Sequence, residues 1–164
     1  MIKVLFICHG NICRSPMAEY ILKDMVEKRG IKDRFHIESR ATSTEEIWNG
    51  QGNPIYPPAQ AELSRHNIGS TAYTDFSAKR AKQVSKSDYK DFDYLLCADK
   101  MNIRNTIRLT GEDSDGKIGL LLDYSTDEKR HGQSIADPWY TGNFDRTYED
   151  IVEGLEGLLY FLGF

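Results

Sequence analysis

The chain opens on an unbroken apolar stretch. Residues 3–8 read KVLFIC, with no polar position alternating through Val4-Leu5-Phe6-Ile7. A strand without a polar face is buried on both sides, as in a parallel sheet covered by helices. Ser15 and Pro16 then supply the N-cap and first position of a helix. Ala18, Ile21, Leu22 and Met25 follow at i, i+3, i+4 and i+7, one apolar face. Lys28, Arg29 and Gly30 form its stop signal. A second strand is predicted over Phe35–Ala41, followed by a long polar loop, TSTEEIWNGQGNPIYPP. Pro57-Pro58 open another helix, ending near His66-Asn67-Ile68-Gly69. FDYLLCAD (92–99) and IGLLLD (118–123) read as two more buried strands, with a helix around 100–109 between them. Tyr148, Ile151, Val152, Leu155, Leu158, Leu159 and Leu162 make a long amphipathic helix. Strands alternating with helices imply a single-domain three-layer α/β fold. Its four-stranded parallel sheet carries helices on both faces, joined right-handedly. No repeat, low-complexity tract or linker interrupts residues 1–164, so the whole chain reads as one domain.

Composition narrows the functional classes. The net charge of −4 argues against nucleic-acid or anionic-membrane partners. No apolar stretch approaches the roughly 18 residues of a membrane span. The three cysteines, Cys8, Cys13 and Cys97, are too few and odd in number for a disulfide framework. Without a signal peptide they fit a reducing, cytoplasmic setting. Cys97 lies inside an apolar strand and reads as core. Cys8, His9 and Cys13 lack the paired spacing of a zinc site, and no second pair exists. GEDSDGKIG (111–119) lacks the later ligands of a calcium loop. No metal or cofactor is therefore expected.

The chemistry concentrates after the first strand, in CHGNICRS, Cys8 to Ser15. In parallel α/β sheets the ligand crevice lies beyond the carboxyl ends of the strands. There the free N–H groups of a helix start attract an anion. Gly10 lets the backbone turn inward, and Asn11 tolerates a left-handed conformation and bonds the loop to itself. Arg14 adds a planar fork of donors matched to phosphate oxygens. Cys8 sits beneath such an anion, where the helix terminus and Arg14 favour its thiolate. A hydrogen bond donated by Ser15 to the sulfur would favour it further. A thiolate facing phosphorus, with the phosphate oxygens neutralised, is a nucleophile in position. His9 is expected to point outward from the loop.

FICHGNICRSPMAE resembles the signature of the low-molecular-weight protein tyrosine phosphatases. The likeness runs through ATS, FDYLLCAD and ADPWY. The resemblance implies hydrolysis through a cysteinyl-phosphate without metal, on phosphotyrosine-containing proteins or peptides, with inorganic phosphate as product. By resemblance Cys8 is the nucleophile, Arg14 the phosphate-binding arginine and Asp137 the general acid. Asn11, Ser15, Ser39 and His66 resemble the network holding the loop. Cys13 resembles the second cysteine, which in this family can form a protective disulfide with Cys8 on oxidation.

Tyrosine leaves as phenolate, whose acid has a pKa of about 10. Protonating it is worth on the order of 10²–10⁴ in rate. The acid must keep its proton while Cys8 is ionised, which the like charge of thiolate and phosphate promotes. Asp137 precedes Pro138, which biases it to an extended loop. Trp139 and Tyr140 follow, and Trp48 lies in the long loop. These flat rings could sandwich a phenyl group.

Three alternatives share the loop. Arginine phosphatases resemble this chain but carry threonine where Ile12 stands and lack the aromatic pair. Arsenate reductases need additional cysteines, and residues 75–92 contain none. A non-catalytic phosphate-binding module would need neither Cys8 nor Asp137.

Overall fold

The computed structural model describes residues 1–164. The apolar run forms β1 (Ile2–Cys8), the first helix is α1 (Arg14–Lys28), and β2 spans Phe35–Ala41. A small antiparallel hairpin follows, β3 (Ile47–Trp48) and β4 (Gln51–Gly52). Then come α2 (Pro57–Arg65), α3 (Lys86–Asp91), β5 (Tyr94–Cys97), α4 (Lys100–Thr110) and β6 (Ile118–Leu120). The chain closes with a short α5 (Pro138–Thr141) and a long α6 (Phe144–Phe161).

The main sheet has the order β2-β1-β5-β6, parallel throughout, as the apolar runs imply. From β1 the chain steps outward to β2, then crosses back to β5 and proceeds to β6. Right-handed connections on opposite sides of β1 place their helices on opposite faces. Val4, Phe6 and Cys8 accordingly join the larger core with residues of α1, α2 and α6. Leu5 and Ile7 face the other way, with Val84, Phe92, Leu95 and Cys97 and the flanks of α3 and α4. The strand order reverses at β1, so the crevice of a doubly wound sheet falls at its carboxyl end, at Cys8.

Several boundaries depart from the sequence reading, each for a local reason. Ser15 is not the N-cap of α1. The helix begins at Arg14, and Cys13 holds the cap position without a side-chain bond. Pro16 is tolerated there because N–H groups of a first turn have no intrahelical acceptor anyway. The fourth strand stops at Leu120, where the chain leaves the sheet in a 3₁₀ turn, Leu121–Tyr124. That turn packs on α6, and two helix glycines permit the approach. A Cβ on Gly154 would lie 2.6 Å from the Leu121 side chain, and one on Gly157 only 1.8 Å from the Tyr124 carbonyl oxygen. The final helix starts earlier than its apolar stripe, because the Asn143 side chain accepts from the Arg146 N–H. An unforeseen helix, α3, is set by a reciprocal cap between Ser85 and Asp88. The β3–β4 hairpin turns on Asn49 and Gly50, both at positive φ, the geometry that Asn-Gly favours.

Gly157→Ala should therefore lower stability by about 1–3 kcal/mol in urea unfolding, since backbone must move to admit the methyl group. Intrinsic helix propensity alone would raise it by about 1 kcal/mol. A more stable variant would show that the helix-to-turn contact is looser than described.

Candidate active site

Residues 9–13 wrap from the end of β1 to the start of α1, and three carbonyls of residues 8–13 are bonded away from the centre. Cys8 O accepts from Thr42 N at 2.9 Å, His9 O from Ser43 N at 3.0 Å, and Ile12 O from Tyr56 N at 2.9 Å. A planar trans peptide points its carbonyl and the next N–H in opposite directions. The amides of His9, Gly10 and Cys13 are thereby aimed inward. These three, with those of Ile12, Arg14 and Ser15, donate to no acceptor in the protein. Free amides converging at a helix start form an anion cradle.

Asn11 locks that shape. Its backbone is left-handed, with φ 59°, so the strain of the turn falls on Asn11 and not on Gly10. A Cβ at Gly10 would meet Glu46 Cγ at 3.3 Å and Ile12 Cγ1 at 3.7 Å, both on side chains that can give way. The Asn11 Oδ1 accepts from Lys82 N at 3.1 Å, which fixes Nδ2 as the donor to Ser15 Oγ (2.8 Å) and Ser39 Oγ (2.9 Å). Ser39 passes its own proton to Glu19 Oε2 at 2.5 Å, and Lys79 closes the chain 2.9 Å from the same oxygen. Glu19, Ser39 and Asn11 are all buried. Burial depresses Lys79, with the Glu19 charge opposing it.

Cys8 is 4% exposed at the floor of the loop. Its sulfur lies 3.0 Å from Ser15 Oγ and accepts the Asn11 N–H at 3.3 Å. Ser15 Oγ accepts from Asn11, and its own hydroxyl has two acceptors in reach, the Cys8 sulfur at 3.0 Å and the Arg40 carbonyl at 3.4 Å. The Asn11 N–H and the Ser15 hydroxyl are the two groups placed to donate to the Cys8 sulfur. Cys13, one helix start away, is pushed up to about 12 by burial first and the neighbouring Cys8 charge second. Burial likewise carries Cys97 up to about 12 in its strand.

The Arg14 side chain is 6% exposed and held between two carboxylates. Its Nη1 donates to Asp99 Oδ2 at 2.9 Å, and Nη2 lies 3.3 Å from Asp137 Oδ2. Burial alone would lower the guanidinium, but the charges of Cys8, Asp137 and Asp99 raise it, so it stays cationic. Asp99 also caps α4, accepting from Asn102 N at 2.8 Å. Asp137 caps α5, accepting from Trp139 N at 3.1 Å, with Pro138 at the first helical position. The segment before Asp137 is pinned at Ala136, whose N–H donates to Asp150 and whose carbonyl accepts from Thr147, at 2.9 and 2.8 Å.

Over the loop lies a cleft of about 420 Å³, a volume suited to a small-molecule group. Cys8, Gly10, Ile12, Cys13, Arg14 and Asp137 line it, with Trp139 and Tyr140 as exposed walls. The Trp139 ring packs on Tyr56, centroids 5.4 Å apart. Tyr56 thus braces both the wall and the loop, through its amide bond to Ile12.

Two expectations fail in place. His66 is no part of the loop's support: it caps the far end of α2, stacks on Tyr148 with centroids 3.6 Å apart, and faces Glu62. The partners of Asn11 are taken up by β2 and the Lys82 segment instead. Trp48 does not line the cleft. It sits beside the tip of the β3–β4 hairpin, 74% exposed, because the Asn-Gly turn swings it outward. His9 is half exposed, 2.9 Å from Glu45, and lies on the rim of the cleft with it. Sequence reasoning overlooked Glu19, Tyr56, Lys79 and Asp99, and the rim carboxylates Glu45 and Glu46. Of these, Asp99 had a signal, the Asp-x-x-Asn cap that ends a buried strand.

The fold and this loop define a doubly wound α/β protein with a cysteine-centred oxyanion site. Residues 3–163 match the family described as low molecular weight phosphotyrosine protein phosphatase. The chain is 38% identical over 159 residues to the low molecular weight protein-tyrosine-phosphatase YfkJ of Bacillus subtilis, covering 97% of this chain and 94% of that one. The crystal structure of YfkJ superimposes with a TM-score of 0.86 over 99% of this chain and 94% of its own, at 36% identity. The low molecular weight phosphotyrosine protein phosphatase of Gallus gallus is 37% identical over 95% of this chain and 92% of its own length. The Drosophila arginine phosphatase DARP shares the fold at 28% identity, with a TM-score of 0.82 over 99% of each chain. The chain belongs to the low molecular weight phosphotyrosine protein phosphatase family.

At neutral pH, alkylation by iodoacetate should modify Cys8 and spare Cys13 and Cys97, as read by peptide mass spectrometry. Thiols held near 12 carry only about 10⁻⁵ of the reactive thiolate at pH 7. Labelling of Cys13 ahead of Cys8 would contradict the electrostatics described.

Proposed function

We propose that this protein hydrolyses phosphotyrosine in proteins or peptides, through a phosphocysteine on Cys8 and without a metal. The observation that carries the reading is the joint placement of a buried sulfur, inward-facing loop amides, Arg14 and Asp137 at one strand end. Loop amides and Arg14 hold the equatorial oxygens of the phosphate. Cys8 attacks phosphorus in line, the S–P bond forming as the P–O bond to the phenol breaks. Asp137 delivers its proton to that leaving oxygen. As a carboxylate it then takes a proton from water, which displaces the Cys8 thiolate and releases inorganic phosphate. Binding of the phosphate to Arg14 replaces the Arg14–Asp137 contact and frees Asp137 for this work.

Trp139 and Tyr140 flank the leaving group, and Ile12 presents hydrocarbon to it. Flat walls and an apolar loop residue fit a phenyl ring better than a guanidinium, which favours phosphotyrosine over the phosphoarginine of DARP. Residues 1–164 act as one phosphatase domain in this reading, working in the cytoplasm.

Rates on matched phosphotyrosine and phosphoarginine peptides, in the presence of a chelator, test the assignment. Turnover of the tyrosine peptide with little of the arginine peptide is expected, and the reverse order would replace this reading with arginine phosphatase activity. Cys8→Ser should lower turnover by roughly 10⁴-fold or more while inorganic phosphate still binds. Asp137→Asn should slow phenyl phosphates with poor leaving groups by about 10²–10⁴ and activated ones far less. Equal losses on both would remove Asp137 from the proton transfer.

A further inference from the structure

Away from the cleft, α2 and the start of α6 bring three ligand-type side chains together. Glu62 and His66, four apart on α2, share a face. Asp145, in the first turn of α6, completes the group. One ligand atom from each lies within 4.8 Å of the other two.

Glu62 is 0% exposed, and its Oε1 has no hydrogen-bond partner. That oxygen faces His66 Nε2 at 3.5 Å. The other oxygen is taken by Arg65, which also reaches within 3.9 Å of Asp145. A buried, unpartnered carboxylate oxygen is costly unless a cation or proton meets it. The His66 ring is clamped flat against Tyr148, with an interplanar angle of 2°. Its Nε2 is therefore held in one direction, as a ligand must be.

We propose that Glu62, His66 and Asp145 bind one divalent transition ion of the zinc class, which ties the end of α2 to the start of α6. One imidazole and two carboxylates form a ligand set suited to such an ion, with solvent in the fourth position beside exposed Asp145. The site is separate from the Cys8 loop and takes no part in hydrolysis. Phe144, next to Asp145, packs on Tyr56, so the ion would stiffen the helix start beneath the Trp139 wall.

The test uses the full chain carrying Cys8→Ser, which removes the competing active-site thiolate. Zn²⁺ binding is followed by calorimetry and thermal unfolding, and Co²⁺ by paramagnetic broadening of the His66 ring signals. One ion per chain, a higher Tm with Zn²⁺ and broadened His66 signals are expected. Asp145→Asn and His66→Gln should each weaken binding roughly tenfold or more. Both lie at partly or fully exposed positions, which keeps the test independent of folding. Arg65→Gln, which removes a competing cation, should tighten binding. Absence of binding up to millimolar Zn²⁺ would overturn the proposal. Binding that the Asp145 and His66 variants leave unchanged would overturn it too.

Discussion

Peptide planarity governs this site more than any single side chain. The amides of His9, Gly10 and Cys13 face inward because the carbonyls of Cys8, His9 and Ile12 are bonded outward, to Thr42, Ser43 and Tyr56. Those partners belong to the chain following β2 and the residue before α2. The cradle is therefore assembled from three separate stretches of backbone, and no part of it exists in CHGNICRS alone. Its donors are aimed before any phosphate arrives, so little reorganisation remains at the moment of reaction.

A second constraint is polar and buried. Asn11, Ser15, Ser39 and Glu19 form a run of hydrogen bonds under the loop, ended by Lys79. Each member finds a partner, which makes such a network rigid instead of costly. The Ser15 hydroxyl in that run stands 3.0 Å from the Cys8 sulfur and 3.4 Å from the Arg40 carbonyl. Cys8 thus meets neutral polar groups from beneath, with the charge of Arg14 close by. The carboxylates Asp99 and Asp137 hold Arg14 cationic and in plane.

Asp137 is positioned by the start of the neighbouring helix α6. Asp150 and Thr147, both on α6, fix Ala136 and hence the turn that carries Asp137. The close seating of α6 at Gly154 and Gly157 connects this anchoring to the core. Tyr56 performs a similar service for the aromatic wall, touching Trp139 on one side and Phe144 on the other. The shape of the cleft and the packing of the core are coupled through these helix contacts.

Much of this was legible along the chain. The unbroken apolar strands specified a parallel sheet, because only burial on both faces accounts for them. Glycine, asparagine, arginine and proline at their spacing marked an anion loop, since each type has a distinctive backbone or hydrogen-bonding property. Periodicity located the main helices, although the strand predicted over 118–123 gave way after Leu120, where glycines on a distant helix admit a closer packing. What lay outside the sequence was which distant groups meet. Linear order carries no record that Glu19 and Lys79 would support Asn11, that Asp99 would hold Arg14, or that His66 would turn to Glu62 instead. Nor does it show that an Asn-Gly turn would carry Trp48 away from the cleft. Those pairings are decided by crossover geometry and by the need to satisfy buried polar groups, which only the folded chain brings within reach of one another.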